Sequence, residues 1–300
     1  MRRFLFACAI VLPAAIAQAG PVDDARLDYI AGNYEKAIVV LMPAAVSGDP
    51  NAQNIMGAAF DDGNGVTQNH ARALEWWEKA AAQNFSKALF NLGEFWLNGR
   101  PGFPADFAKA LPLFERAAEQ DNADAIGNLG FMYELGLGVD ADPETAFKLY
   151  ERASALGAVF AKSNLAALYA QGSGVEKDLA KAYALMVEAA SKGDAISFSN
   201  LGVMYEQGLH VTQDKIAAFA LYKQAMQRGH ARAANNLASM MLEDGYGWSD
   251  PVEALAHCLW SRDRAQSPES YADFEIDCDA LGAEMTAEQR EAADARMSEL

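Results

Sequence analysis

Five asparagines, Asn91, Asn128, Asn164, Asn200 and Asn236, stand 37, 36, 36 and 36 residues apart, each just ahead of a Leu-Gly or Leu-Ala pair. An asparagine side chain offers one acceptor and two donors, enough to hold a peptide group at both its C=O and its N–H. A regular series of them is binding chemistry rather than bond-breaking chemistry. The residue types that break bonds fall into no comparable pattern. The chain contains no H-E-x-x-H, no P-loop, no C-x-x-C and no G-x-S-x-G around a serine. Ser173 lies between two glycines in a turn, and His70, His210, His230 and His257 share no ligand spacing, so neither a metal site nor a cofactor is expected. The acidic stretches "DADPET" and "DFEIDCDALGAE" lack the sharp-turn Gly and distant Glu of a calcium loop, and read as helix starts instead. Catalysis is left only to residues one period apart that meet in space, an arrangement that leaves no linear motif.

The elements that carry the asparagines repeat with them. Ala73, Ala110, Ala146, Ala182, Ala218 and Ala254 form a second column, at intervals of 37, 36, 36, 36 and 36, so two independent columns agree on one period. Within a period the first segment has small and apolar residues at helical spacing, as in Ala125, Leu129, Met132 and Tyr133, and ends in a Gly-rich turn such as "LGLGVD". The second is amphipathic: Ala146, Leu149, Tyr150 and Ala153 share one face, and Glu144, Lys148, Glu151 and Arg152 the other. Each unit is therefore a helix, a tight turn and an antiparallel helix. One hairpin cannot bury its own apolar face, so neighbours must stack, and stacking with a small constant rotation builds a superhelix. Gly57, Gly93, Gly130, Ala166, Gly202 and Ala238 share a close-approach column, and Trp77, Phe114, Tyr150, Met186 and Tyr222 a bulky one; both are read as core.

The ends differ from the middle. Residues 1–19 combine Arg2 and Arg3, an apolar run and Ala17-Gln18-Ala19, the marks of a secretory signal cut before Gly20; Pro13 and the shortness of the run speak against a retained anchor. Residues 20–50 read as an N-terminal capping half-repeat, 51–264 as six repeats and 265–300 as C-terminal capping helices, with Thr286 and Gln289 fitting a capping box. Cys258 falls on the core-facing column and Cys278 on the helix that should cover it. A disulfide between them is the first reading and two free buried thiols the alternative. Without Arg2 and Arg3 the chain keeps 22 basic against 41 acidic side chains, which speaks against nucleic acid and anionic membrane surfaces as partners. No later stretch is long and apolar enough to insert in a membrane.

The stretches "NLGFMYELGLGV", "SNLAALYAQGSGV" and "KAYALMVEAASKGDA" closely resemble the Sel-one-like repeats, a branch of the tetratricopeptide superfamily, over roughly residues 51–264. Two turns depart: "NGRPGFPADF" is one residue longer, and "QGLHVTQD" has His210 where the second glycine is expected. The resemblance implies an all-α, right-handed α-solenoid of helix-turn-helix repeats whose first helices line a concave groove. It also implies an adaptor rather than an enzyme: a periplasmic or secreted scaffold or regulator that binds an envelope protein or an extended peptide. The alternative is a cell-wall-active or penicillin-binding hydrolase, as proposed for a cysteine-rich branch whose cysteine pairs are absent here. By the same resemblance the five asparagines would grip partner backbone, with Glu94, Phe131, Glu134 and Glu206, together with Ser163, Ser199 and Asn235, varying the groove chemistry. The other role open to each asparagine is to bond the adjacent unit and fix the angle between repeats.

Overall fold

The computed structural model describes residues 20–243, 247, 249–264 and 276–300, so the expected signal over 1–19 and residues 265–275 of the expected C-terminal cap lie outside the described residues. Among these, sixteen α-helices follow one another without a strand, in two compact units that divide after Asp106.

In the first unit α1 (Pro21–Ile30) pairs with α2 (Tyr34–Val46), α3 (Pro50–Asp62) pairs with α4 (His70–Ala82), and α5 (Ser86–Asn98) follows. The second unit runs α6 (Phe107–Ala118), α7 (Ala123–Leu135), α8 (Pro143–Ala155), α9 (Val159–Gln171), α10 (Leu179–Ser191), α11 (Ala195–Gln207), α12 (Lys215–Met226), α13 (Ala231–Leu242) and α14 (Pro251–Arg264). Two terminal helices, α15 (Cys278–Ala283) and α16 (Ala287–Glu299), complete it. Within the first unit each helix from α1 to α5 packs on the next, within the second each from α6 to α14 does so, and both terminal helices pack on α14, as tandem hairpins require.

Local chemistry sets the boundaries. Asp49, Asn122 and Asp194 accept from the backbone N–H three residues on and so start α3, α7 and α11. The C-terminal ends of α3, α7, α9 and α11 fall at Gly63, Gly136, Gly172 and Gly208, all in the left-handed region. Five of the hairpin turns then close the same way. The N–H of Asn69, Asp142, Asp178, Asp214 and Asp250 donates to the carbonyl nine residues earlier, on the first helix of its own hairpin. The turn "NGRPGFPADF" reaches ten residues back, from Asp106 to Trp96, and holds its extra residue with reciprocal 2.7 Å backbone bonds between Arg100 and Phe103. His210 takes the left-handed φ of 65° that a turn glycine takes elsewhere, with its ring 5.7 Å from Tyr183.

The close-approach column meets the bulky column in the core. A Cβ added to Gly57 would lie 2.4 Å from the Trp77 ring, one on Gly130 would lie 2.9 Å from Tyr150, and one on Gly202 would lie 2.5 Å from Tyr222. Glycine is thus what lets a first helix lie directly against the ring of the second. Ala166 packs with Met186, and Ala238 with Cys258, where no ring claims the space. Cys258 is joined to Cys278 by a disulfide with a Cα separation of 5.6 Å, and Arg296 on α16 pairs with Asp250 and Glu253 at the start of α14 at 2.7 and 3.1 Å. Thr286 and Gln289 form the reciprocal capping box that starts α16.

Candidate partner-binding site

The five asparagines occupy one position on α5, α7, α9, α11 and α13, yet they do different things there. The Asn91 amide donates to Asn54 Oδ1 on α3 at 2.9 Å. Asn164 bonds the Tyr150 hydroxyl on α8, and Asn128 is buried. These three are tied into their surroundings. Asn200 and Asn236 are half-buried, and among the described residues neither amide has a hydrogen-bond partner.

The backbone grip expected of the row occurs one residue away from it. Asn235 donates from Nδ2 to the carbonyl of Ile276 and accepts at Oδ1 from the N–H of the same residue, both at 3.3 Å. A fully buried side-chain amide on α13 thus holds a main-chain peptide group 41 residues further along, beside the disulfide. Ser163 and Ser199 stand at the equivalent place on α9 and α11 and are also buried; Ser163 turns its hydroxyl back to the Phe160 carbonyl at 3.0 Å.

Glu134 and Glu206 belong to the core network. Glu134 Oε2 accepts from the Tyr150 hydroxyl at 2.7 Å, and Glu206 Oε2 from the Tyr222 hydroxyl at 2.6 Å. Burial, and then the charge of Glu134, push the Tyr150 phenol far above its ordinary pKa, so the hydroxyl keeps its proton and remains a donor. Phe131 and Glu94 are half-buried on α7 and α5. The tyrosine–glutamate pairs escaped the reading of the sequence, although a signal for them existed: Glu134 and Glu206 occur in the repeats that carry Gly130 with Tyr150 and Gly202 with Tyr222, whereas Ala170 occurs with Ala166 and Met186.

Two histidines, half-buried His230 and buried His257, are structural. His230 accepts the N–H of Ala233 at Nδ1, 3.2 Å away, and so caps α13; burial, helped by Arg232 and opposed by Asp194, lowers its pKa. Burial also lowers that of His257, whose Nδ1 lies 3.0 Å from the Glu253 carbonyl. Among the described residues no three His, Cys, Asp or Glu side chains converge as metal ligands would, and no helix is long and apolar enough to cross a membrane.

This architecture has relatives. The Sel1 repeat model matches residues 50–85, 86–122, 123–157, 159–194, 199–230 and 231–259. The chain belongs to the Sel1 repeat family. A Sel1 repeat protein from Oxalobacter formigenes is 31% identical and superposes with a TM-score of 0.70, over 81% of this chain and 99% of that one. A protective antigen of uropathogenic Escherichia coli with an SLR fold is 24% identical at a TM-score of 0.58, over 91% of this chain and 61% of that one. Yeast Tom70, at 15% identity and a TM-score of 0.52, covers 96% of this chain and 69% of its own, and shares the fold alone. No curated protein matches in sequence. The fold class is accordingly all-α, a solenoid of tandem helix-turn-helix repeats. Sel1 repeat proteins are protein-interaction scaffolds and typically not catalysts.

Proposed function

We propose that this Sel1 repeat protein works outside the cytoplasm, in the periplasm or as a secreted protein, where it holds an extended segment of another envelope protein along its first helices and so acts as a scaffold or regulator. The Arg-Arg start, apolar run and Ala-x-Ala of residues 1–19 support export, as does the Cys258–Cys278 disulfide, a bond suited to an oxidising compartment. The observation that carries the binding mode is the amide of Asn235 on the N–H and C=O of Ile276: a first-helix asparagine of this chain is already used to hold a main-chain peptide group. Asn200 and Asn236 offer the same chemistry with nothing among the described residues to satisfy it, so they are the backbone-binding pair, while Asn91, Asn128 and Asn164 brace the repeats. An amide left half-exposed retains its hydrogen-bonding capacity for a partner.

The test is capture from an envelope extract on the immobilised full mature chain, with bound proteins identified by mass spectrometry and thermal midpoints measured in parallel. Asn200→Ala with Asn236→Ala should lose the captured protein at an unchanged midpoint. Asn91→Ala with Asn164→Ala should lower the midpoint. Equal capture by the wild type and the Asn200/Asn236 variant would sink the assignment.

A further inference from the structure

We infer that the first hairpin is a docking surface for a second copy of this chain, in a reciprocal contact where α1 of each protomer receives α2 of the other. The surface lies apart from Asn200 and Asn236 and stands or falls independently of their role. It rests on the removal of residues 1–19, which leaves α1 as the start of the mature chain.

On α1 there is a seat that the later hairpins fill. The N–H of Asn33 donates to the Asp28 carbonyl, five residues back, where that of Asn69 donates to Phe60, nine back. Leu27 therefore stands at the place held by Ala59, Phe95, Met132, Leu168, Met204 and Met240 on the later first helices, and all six of those are buried. The second helix of the preceding hairpin supplies cover there. Trp77 meets the Phe95 ring edge to face at 6.1 Å, Met186 packs with Met204, and Tyr222 packs with Met240. Among the described residues no second helix precedes α1, so Leu27 is 62% exposed and Ile30, one turn on, 77%.

On α2 there is an apolar face without a cover. The helix turns Ala37, Leu41 and Ala45 inward, and its opposite stripe is Val39, Pro43 and Val46, with the two valines 73% and 71% exposed. On α4, α6, α8, α10 and α12 the place of Pro43 is held by Lys79, Arg116, Arg152, Glu188 and Gln224. Apart from Pro112, no counterpart of either valine on those helices is an apolar residue larger than alanine. The last second helix, α14, has Ala256 and Trp260 on this stripe, and both are buried, with Met297 of α16 packed against the clusters that hold them. An apolar outward stripe is thus covered by a helix in the last hairpin and bare in the first, where large exposed apolar side chains concentrate.

The two faces complement each other. The seat on α1 takes a second helix with an apolar face, and α2 is a second helix whose apolar face is bare. Within one protomer they cannot meet, because α2 already turns its other side to the core. A two-fold axis brings them together: each protomer lays its α2 stripe against Leu27 and Ile30 of the other, and a self-complementary patch of this kind closes a dimer. Charge points the same way. Two copies of so acidic a chain repel, yet α2 carries one Glu and one Lys, and on α1 Asp23 and Asp28 are paired with Arg26 and Lys36 at 3.0 and 2.8 Å. The dimer presents Asn200 and Asn236 twice, which raises the apparent affinity for a partner with two sites.

The test is sedimentation equilibrium of the mature chain, its start at Gly20 checked by mass spectrometry, from low to high micromolar concentration. A reversible monomer–dimer equilibrium is expected, tightened by added salt, which screens the repulsion between protomers. Leu27→Lys, and separately Val39→Glu with Val46→Glu, should each weaken the dimer at least tenfold, with an unchanged thermal midpoint at low concentration. Ile216→Glu, at a comparably exposed residue of α12, should leave it intact. An equimolar mixture of the two defective chains should recover a heterodimer, because the lysine of one then faces the glutamates of the other while the second half of the contact is unaltered. A monomer throughout, a dimer that neither interface variant weakens, or a mixture that stays monomeric would overturn the assignment. So would binding of the chain to phosphatidylcholine vesicles in place of self-association.

Discussion

The repeat closed by Tyr150 and the repeat closed by Met186 have the same backbone path and different interiors. In the first, Gly130 lies against the ring, Glu134 accepts from its hydroxyl, and the ring is fully buried. In the second, the same three positions are Ala166, Ala170 and Met186, with no polar atom to satisfy. Gly202, Glu206 and Tyr222 return to the first pattern one period later. The three positions change together because a ring needs the volume of a Cβ, and a buried hydroxyl needs an acceptor. A carboxylate half-hidden on a first helix is therefore explained by the tyrosine it faces before any partner is invoked.

That explanation can be broken most easily at the glycine. Gly202→Ala should gain the helix propensity of alanine and still lose about 2 kcal/mol net, because the new Cβ collides with Tyr222. Adding Tyr222→Met, the pairing found at Ala166 and Met186, should recover at least about 1 kcal/mol of that in a double-mutant cycle followed by denaturant unfolding. If the two costs simply add, ring and glycine are not coupled.

The acceptor comes next in size. Glu134→Ala should cost about 1–2 kcal/mol by leaving the Tyr150 hydroxyl buried without an acceptor, and Tyr150→Phe in the same chain should return part of it. The same glutamate substitution should cost much less where no tyrosine needs it, so a loss that Tyr150→Phe does not reduce would assign Glu134 another role.

The smallest effect concerns the caps that begin the first helices, where His230 stands in the place taken by Asn122 and Asp194 elsewhere. The folded pKa of His230 is depressed below its ordinary 6.5, so between the two values the unfolded chain binds more protons and stability rises with pH. Its contribution is full above about pH 6.5 and is lost as the pH falls below that value. His230→Asn keeps a capping side chain that does not titrate. It should make the thermal midpoint less steep between pH 7 and 5.5, roughly the range in which an unperturbed imidazole gains its proton, and an unchanged slope would remove His230 from the pH response.

Much of this was legible in the chain because periodicity reports shared environments. A residue that recurs every 36 positions sits in the same place in each hairpin, so the helices, the Gly-rich turns, the longer turn before Asp106 and the core placement of the small and bulky columns could be read from spacing alone. The opposition of Cys258 and Cys278 followed from the same logic, one column facing one covering helix. The functional site was less legible, since the asparagine column was visible but its division was not. Asn91 is engaged by Asn54, and Asn164 by Tyr150, while Asn200 and Asn236 are left open.

What the sequence by itself determined is therefore the repeat, its hairpin, the register of its core and the all-α class. These follow from hydrophobic spacing and turn chemistry that act within one period. Only the tertiary structure decided which polar groups are already satisfied. A hydrogen bond depends on a separation of about 3 Å and on direction across packed helices, and its partner can lie far along the chain at no repeating interval, as Ile276 does from Asn235.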